Sequence, residues 1–206
     1  MPRKKNTCSL KELCSKRFEQ LDFKDKRFTA LVGRPERSGS WLIWGKSFNG
    51  KTSFAVQLMA EFATLDKMSV LYVSLEEGLS NTLQKKVMPY VEKKNIRFME
   101  KASKDDLTRE LKKQRSAQVI IVDSLQYLGI NQSGYIRLRK EFPHKLWIWI
   151  SHATDKGNPK GLGEYVKYDA SVKIMVDGFV ATANSRYGGG ESFVIWEEKA
   201  KELMSI

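Results

Sequence analysis

The sequence predicts a single α/β domain built on a mainly parallel sheet, and three features support this prediction. Short apolar segments that suit strands alternate with segments of helical periodicity through most of the chain. Residues 119–122 are all apolar, as is typical of a parallel strand that helices cover on both faces. Closely spaced strand-like segments follow residue 170, and Asp177-Gly178 between the first two indicates a C-terminal antiparallel meander.

The predicted elements alternate in the order that such a sheet requires. We expect helices at 50–65, 79–94, 104–115 and 134–142, and strands at 41–44, 69–74, 96–99, 119–122, 145–150, 171–176, 179–184 and 192–197. Residues 153–169 are polar and contain glycines without periodicity, so a loop is expected there. Residues 31–206 form the expected core domain. Residues 1–30 form a basic, partly helical arm, in which Ser9 could cap a helix bearing Leu10, Leu13 and Phe18.

The composition limits the class of protein. The chain has 206 residues, 41% of them hydrophobic and 29% charged, which is ordinary for a soluble globular domain. Its apolar runs are far shorter than a membrane span and its N-terminus lacks the apolar region of a secretory signal, so we expect a cytoplasmic protein without a membrane partner. The formal charge of +12 is concentrated in residues 1–27 and 83–115, and it favours a nucleic-acid partner slightly over a merely solvated surface.

The most specific motif is the phosphate-binding loop Gly45-Lys46-Ser47-Phe48-Asn49-Gly50-Lys51-Thr52, which lies between a predicted strand and an amphipathic helix. The two glycines permit backbone shapes that turn N–H groups toward a phosphate, and the following helix adds its positive end. The motif lysine contacts the β- and γ-phosphates, and the motif threonine ligates magnesium. The sequence therefore predicts ATP and Mg²⁺ as ligands, held by Gly45, Ser47, Asn49, Gly50, Lys51, Thr52 and Ser53.

Acidic residues follow two predicted strands whose carboxyl ends should share an edge of the sheet with the phosphate loop. Asp123 ends the strand at 119–122 and could hold Mg²⁺ beside Thr52. Glu76 and Glu77 follow the strand at 69–74, where a carboxylate can orient and deprotonate an attacking water. We expect Glu76 to be that base with Glu77 as the alternative, and an acidic pair also favours a helix N-terminus.

The strand at 145–150 leads to a further polar residue at this edge. His152 follows it, where a side chain can contact the γ-phosphate and report its presence to the next loop. Trp147 and Trp149 alternate with aliphatic residues in the strand, so core packing is a better interpretation than base stacking. Tyr165 and Tyr168 lie in the loop expected at 153–169 and could stack on bases or be ordinary surface residues.

The ordered set of motifs resembles the core of RecA-type ATPases. After the phosphate loop it comprises Ser74-Leu75-Glu76-Glu77, Ile121-Val122-Asp123-Ser124-Leu125-Gln126 and Ser151-His152-Ala153-Thr154-Asp155-Lys156-Gly157, and it covers about residues 30–198. The set most resembles the bacterial RadA branch, with the hexameric DnaB-type helicases nearby. The segment Asn184-Ser185-Arg186-Tyr187-Gly188 is similar to the Lys-Asn-Arg-Phe-Gly motif of RadA.

The resemblance implies a role for each matching residue. Glu76 matches the catalytic glutamate, Asp123 the magnesium-associated aspartate and His152 the γ-phosphate sensor. Arg186 matches an arginine that approaches the ATP of the adjacent subunit, which implies a homo-oligomer, ring or filament, with ATP at subunit interfaces. The resemblance also implies two loops that bind single-stranded DNA, at 129–135 and 153–169, with Lys156, Lys160 and Lys167 as candidate phosphate contacts.

The chain also departs from the RadA pattern. Asn184 stands where the RadA motif has its first lysine, and these residues include no four-cysteine zinc module, protease-like domain or N-terminal helicase domain. The bare core is most like the single-domain RecA-like recombination proteins that phages and mobile elements encode.

The function that these features favour is a DNA-dependent ATPase that acts on single-stranded DNA in recombination, annealing or repair. Three alternatives remain open at this point. The first is a helicase-like motor or loader of the DnaB branch, and the second is an annealing protein that uses ATP only as a conformational ligand. The third is a nucleotide-gated signalling assembly, which would show no salt-dependent DNA binding.

Overall fold

A computed structural model describes residues 7–204, and within them the chain forms one eight-stranded sheet. Its strands are β1 (Gly39–Gly45), β2 (Val70–Ser74), β3 (Ile96–Glu100), β4 (Val119–Asp123), β5 (Leu146–His152), β6 (Val172–Asp177), β7 (Val180–Ser185) and β8 (Phe193–Val194). Their spatial order is β3-β2-β4-β5-β1-β6-β7-β8. The first six strands in that order run parallel, and β7 and β8 pair antiparallel. The predicted fold class, a mainly parallel sheet with an antiparallel C-terminal meander, is confirmed.

Helices cover both faces of this sheet. The helices of the described residues are α1 (Leu10–Ser15), α2 (Lys26–Val32), α3 (Lys51–Phe62), α4 (Asn81–Val87), α5 (Lys104–Leu111), α6 (Gln132–Glu141), α7 (Leu162–Asp169) and α8 (Glu197–Met204), of which α1 is exposed and does not pack on the sheet. Buried residues of α2, α3 and α4 belong to the apolar cluster on one face, and those of α5, α6 and α7 to the cluster on the other. Between residues 7 and 204, no helix is long and apolar enough to cross a membrane.

The central strands are buried on both faces because successive side chains point to opposite sides of the sheet. In β1, Trp41 packs in the cluster with α3, whereas Trp44 packs in the cluster with α7. Trp147 and Trp149 of β5 are fully buried, and their rings stack at a centroid distance of 4.9 Å. The prediction that these two tryptophans pack in the core is confirmed.

The antiparallel meander begins at a two-residue turn next to the phosphate loop. Asp177 pairs with Val180, and the intervening Gly178 and Phe179 have positive φ angles of 51° and 59°. Two successive positive φ angles are typical of a type I′ hairpin turn, so the hairpin predicted from Asp177-Gly178 is confirmed. The Phe179 N–H donates to the Asn49 carbonyl at 3.1 Å, which ties the turn to the phosphate loop.

The prediction of a loop at 153–169 is wrong for the second half of that segment, because α7 begins at Leu162. Leu162, Tyr165 and Val166 have helical spacing, but the neighbouring glycines hid this periodicity in the sequence. Gly163 is required by close packing of α7 on β5, since a Cβ at that position would lie 2.4 Å from Ser151 Oγ.

Other boundaries also differ from the expected ones. The helix expected at 79–94 ends at Val87 and passes into a 3₁₀ turn at Met88–Tyr90, whose proline cannot continue an α-helix. The loop expected at 129–135 is shorter, because Asn131 caps α6 and the helix begins at Gln132. The strand expected at 192–197 is reduced to β8, and α8 begins at Glu197.

The segment proposed as a basic arm contains two different parts. Its first described helix, α1, has the expected Ser9 cap in a capping box with Glu12, while Phe18 lies beyond the helix end. Farther along, Leu21 and Phe23 are buried in the core. Residues 1–6 of the proposed arm lie outside the described residues.

Candidate nucleotide site

The parallel sheet brings the predicted site residues together at its carboxyl edge, where the parallel strands end. The phosphate loop follows β1, Glu76 follows β2, Asp123 ends β4 and His152 ends β5, and all four strands run in the same direction. A cavity of about 470 Å³ opens at this edge. Of the predicted site residues, Ser47, Gly50, Lys51, Thr52, Ser53, Glu76 and Asp123 line it.

The two loop glycines allow the backbone to pass very close to its neighbours. A Cβ on Gly45 would lie 2.0 Å from the Val176 carbonyl oxygen, so only glycine fits beside β6. Gly50 has a φ of 98° and precedes α3, whose first turn receives no hydrogen bond from a capping side chain. Its backbone N–H groups and the positive helix end therefore suit a phosphate. Asn49 supports the loop from outside the cavity, since its Nδ2 donates to Asp177 Oδ1 at 2.6 Å.

Lys51 lies at the base of the cavity with only 8% of its surface exposed. Its Nζ donates to the Lys46 carbonyl at 2.8 Å. Burial lowers the pKa of Lys51, and the nearby carboxylates of Glu76 and Asp123 oppose that shift. The lysine thus offers a poorly solvated positive charge, which a phosphate group would stabilise strongly.

The Asp123 carboxylate is buried and accepts two hydrogen bonds on the same oxygen. The Thr52 hydroxyl donates to Oδ2 at 3.1 Å, and the Tyr72 hydroxyl donates to it at 2.6 Å. Burial raises the pKa of Asp123, and these two donors act against that rise. Burial also raises the pKa of Tyr72 well above its usual value, and the adjacent Asp123 carboxylate adds to the shift, so the phenol keeps its proton.

The donor set suits magnesium. Mg²⁺ prefers oxygen ligands and is commonly bound by one or two protein groups together with substrate phosphates. The Thr52 hydroxyl is the donor in its hydrogen bond to Asp123, so the lone pairs of its oxygen remain available to a cation. Residues 7–204 contain no cluster of three or more His, Cys, Asp or Glu side chains that could hold a metal ion by themselves. The residues present therefore fit a Mg²⁺ ion that arrives with a nucleotide.

The two neighbouring glutamates have different surroundings. Glu76 Oε2 lies 3.1 Å from His152 Nε2, and the Glu76 N–H donates to the Asp123 carbonyl at 3.1 Å. Glu77 instead accepts a hydrogen bond from the Thr82 hydroxyl at 2.7 Å and pairs with Lys86 Nζ at 3.3 Å. Both carboxylates line the cavity, but Glu77 is held by contacts to α4, whereas Glu76 contacts His152.

His152 does not line the cavity itself, but it contacts Glu76, which does, and it adjoins the segment after β5. Its Nε2 contacts Glu76, and its carbonyl accepts the Lys160 N–H at 2.8 Å. Gln126 bridges the same elements, because its Nε2 donates to Ser151 Oγ at 2.8 Å and to the Lys160 carbonyl at 3.1 Å. These bonds tie the backbone at the end of β5 to residues 153–161.

The three predicted DNA-contacting lysines differ in their exposure. Lys156 and Lys160 are exposed in the segment between β5 and α7. Lys167 is half-buried, and its Nζ lies 4.8 Å above the ring of Trp44, which itself donates to the Gly157 carbonyl at 3.0 Å. The first two are free to meet a phosphate, whereas Lys167 already has a cation–π partner.

Arg186 lies at the opposite, amino edge of the sheet, where the parallel strands begin. It follows β7, which starts beside the phosphate loop and ends where Ser185 pairs with Val172, the first residue of β6. The Arg186 N–H donates to the Ser171 carbonyl, and its side chain is exposed. A strand of this length spans about 17 Å, so Arg186 cannot contact the cavity of its own chain.

Four further residues belong to the site and escaped the sequence reasoning. Tyr72 contacts Asp123, Lys86 lines the cavity from α4, and Phe179 and Trp196 line it with rings 6.1 Å apart at 84°. Tyr72 looks like an ordinary strand residue, and the other three lie far from the motifs in sequence. The Asp177-Gly178 signal predicted the turn that contains Phe179, but its position beside the phosphate loop comes from the tertiary structure.

Comparison with known proteins supports the fold. The model of the family described as "Chromatin associated protein KTI12" matches residues 41–131, less than half of the chain. The flagellar accessory protein FlaH from Methanocaldococcus jannaschii superposes with a TM-score of 0.62 and 16% identity, covering 86% of this chain and 94% of its own. The KaiC-like protein PH0186 from Pyrococcus horikoshii OT3 gives a TM-score of 0.63 and 15% identity, covering 85% and 94%. No curated protein matches the sequence.

At such low identity the likeness establishes the fold and not the activity. The superpositions cover most of this chain and nearly all of each neighbour, so the mainly parallel sheet with flanking helices is an overall fold that they share. The phosphate loop occupies the edge at which parallel α/β sheets bind their ligands. The chain thus has a RecA-like P-loop fold of the kind shared by FlaH and KaiC-like proteins.

Proposed function

We propose that the protein is a Mg²⁺-dependent ATPase of RecA type that acts on single-stranded DNA in recombination, annealing or repair. The observation that carries the proposal is the convergence of Lys51, Thr52, Glu76 and Asp123, from three separate segments of the chain, on one cavity. These are the residue types that bind phosphates, hold magnesium and activate water. Within RecA-type proteins, we propose a single-domain relative of the RadA branch, such as phages encode.

The cavity has room for each part of the nucleotide. The triphosphate would lie on the backbone N–H groups at the start of α3, with Lys51 beside the β- and γ-phosphates. Phe179 and Trp196 form an aromatic wall on which the base can stack. Trp196 keeps 47% of its surface exposed, so its ring is accessible to a ligand.

Hydrolysis would depend on residues at the strand ends. Mg²⁺, when bound with ATP, would neutralise part of the phosphate charge, and Thr52 and Asp123 are the residues that would hold it. Glu76 would accept a proton from the attacking water. A carboxylate has two oxygens, so Glu76 Oε1 can take this proton while Oε2 keeps its contact with His152.

The contacts of His152 support a link between the nucleotide and DNA. The histidine touches Glu76 on one side and is hydrogen-bonded through its carbonyl to Lys160 on the other. Lys156 and Lys160 are exposed in the segment that it adjoins, and Tyr168 on α7 is 83% exposed. Lysines can neutralise the phosphates of a single strand, and an exposed tyrosine can stack on its bases.

The position of Arg186 supports an oligomer. Because its side chain lies at the edge opposite the cavity, it can reach a nucleotide only if that nucleotide is bound by another copy of the chain. We propose a homo-oligomer, ring or filament, in which Arg186 of one subunit approaches the ATP of the next. The exposed part of the segment at 1–30 would then serve as an arm, whereas its buried residues Leu21, Phe23 and Phe28 pack into the ATPase core that residues 31–206 form.

The test of the proposal is ATP turnover with and without single-stranded DNA. Lys51→Ala removes the charge beside the phosphates, and we expect turnover to fall about 10²–10³-fold. Lys46→Ala is the matched control, because Lys46 is exposed in the same loop and contacts Lys51 through its backbone carbonyl. Equal turnover of Lys51→Ala and wild type would refute the nucleotide site. Turnover that ignores single-stranded DNA would refute the DNA-dependent part alone.

A second candidate function is an annealing protein that uses ATP only as a conformational ligand. The contact of Glu76 Oε2 with His152 favours it, since a glutamate held in this way can report bound nucleotide without activating water. The presence of Asn184 in place of the motif lysine also favours it. Annealing of complementary strands that is undiminished in Glu76→Gln would support this candidate over the ATPase.

A further inference from the structure

Tyr72 lies outside every sequence motif, yet its hydroxyl contacts Asp123 of the proposed magnesium site. It lies on β2, where it pairs with Ile121 of β4 and Ser74 pairs with Asp123. The tyrosine side chain points to the same face of the sheet as α3 and belongs to the same core cluster. From there its hydroxyl reaches along the sheet to Asp123 Oδ2 at 2.6 Å.

Packing holds the Tyr72 ring in one orientation. The residue is fully buried, and its ring lies 5.6 Å from the ring of Phe98 on β3, at an angle of 38°. A buried phenol hydroxyl that lost its hydrogen-bond partner would be strongly unfavourable, so ring packing and the hydrogen bond act together. The hydroxyl is therefore a fixed donor.

Asp123 links Tyr72 to Thr52 through two hydrogen bonds. Tyr72 and Thr52 both donate to Asp123 Oδ2. A threonine hydroxyl has a single hydrogen, so the direction in which Thr52 donates determines the direction of its lone pairs. The orientation of the Asp123 carboxylate, which Tyr72 holds, thus sets the orientation of the Thr52 oxygen that would face a cation.

We propose that Tyr72 is a positioning residue for Mg²⁺, which acts by fixing Asp123 and, through it, the Thr52 hydroxyl. The inference rests on the proposed binding of Mg²⁺ with ATP at this site. Groups that orient metal ligands typically change metal affinity or activity 10–100-fold when they are removed. Tyr72 does not line the cavity, so its loss should change the magnesium requirement and leave metal-free nucleotide binding unaltered.

The experiment is a magnesium titration of nucleotide binding in the absence of turnover. A fluorescent non-hydrolysable ATP analogue is bound to wild type and Tyr72→Phe, and the Mg²⁺ concentration at half-maximal binding is measured. We expect this midpoint to rise about tenfold or more in Tyr72→Phe, with little change in the affinity measured without Mg²⁺. If the phenylalanine variant does not fold, Tyr72→Met removes the same hydroxyl and should give the same shift.

The control is Tyr135→Phe. Tyr135 is also buried, and its hydroxyl bonds to Ser40 and to Asp169 on the other face of the sheet. We expect its magnesium midpoint to match that of wild type even if its melting temperature falls. A lower melting temperature with an unchanged midpoint in Tyr72→Phe would overturn the inference, because it would show a role in stability alone.

A double variant tests whether Tyr72 acts through Asp123. Once Asp123→Ala has removed the side-chain acceptor of the Tyr72 hydrogen bond, Tyr72→Phe should add no further shift of the midpoint. An additive shift would overturn the inference. Failure of the wild type to bind the nucleotide would refute the proposed function itself, whereas normal binding with no effect of Tyr72→Phe would refute only the role of Tyr72.

Discussion

The two edges of the sheet differ in what they contribute to the proposed site. At the carboxyl edge, hydrogen bonds join Thr52, Asp123, Glu76 and His152 into one continuous cluster beside the cavity. At the amino edge, Arg186 stands exposed, separated from that cluster by the length of β7. The difference teaches that one chain can bring together the residues of the proposed nucleotide site and still lack, at that site, a residue that the resemblance assigns to it.

Glu76 and Glu77 provide the sharpest contrast within the carboxyl edge. Glu76→Gln removes the proposed base, and we expect ATP turnover to fall about 10²–10⁴-fold, the usual contribution of a general base. The amide keeps the size of the side chain, so binding of ATP should change little. Turnover and nucleotide affinity, measured separately, check this prediction.

Glu77→Gln is the matched variant for that measurement. Its carboxylate is engaged by Thr82 and Lys86 of α4, so we expect a loss of turnover much smaller than that of Glu76→Gln. If Glu77→Gln proved the more damaging of the two, the assignment of Glu76 as base would be wrong and the alternative base would replace it.

A smaller effect is expected where the carboxyl edge continues into the segment after β5. Lys156→Ala and Lys160→Ala should each weaken binding of single-stranded DNA and lower the slope of log affinity against log salt by about 0.7. Lys167→Ala should change that slope less, because the Lys167 ammonium lies over the Trp44 ring. Loss of this contact should instead reduce the free energy of unfolding by about 0.5–1 kcal/mol.

Salt-dependent DNA binding and chemical denaturation together check the contrast between these lysines. A slope that falls equally for all three would mean that the Lys167 contact with Trp44 gives way to DNA. A slope unchanged in Lys156→Ala and Lys160→Ala would place the DNA, if any binds, on another surface.

The sequence could predict those parts of the site that lie within a few residues of a strand end. Parallel strands end at a common edge, so finding Gly45, Glu76 and Asp123 after apolar segments was enough to expect them together. Tyr72 could not be found in this way, because its hydroxyl reaches Asp123 only through the lateral pairing of β2 with β4. Trp196 could not be found either, since the turn of the last strands toward the cavity is a tertiary effect.

The fold was predictable to a similar degree. Long periodic segments and the Asp177-Gly178 turn identified most strands and helices. The second half of the segment at 153–169 was missed because Gly163, which close packing on Ser151 requires, interrupts the pattern by which a helix is recognised. Constraints imposed by neighbouring elements therefore account for the failure to predict α7 as well as for the site residues that were missed.

The measurement that most directly tests the division of the site between two chains is a mixing experiment. Lys51→Ala retains Arg186 but has a defective phosphate loop, whereas Arg186→Ala has an intact loop and lacks the arginine. An arginine supplied in trans can contribute about 10³–10⁵-fold to phosphoryl transfer, so each variant alone should have little ATP turnover. Mixing them should restore turnover, because some interfaces then combine an intact loop with an intact arginine. A mixture as inactive as its components, or wild-type turnover by Arg186→Ala alone, would contradict the account.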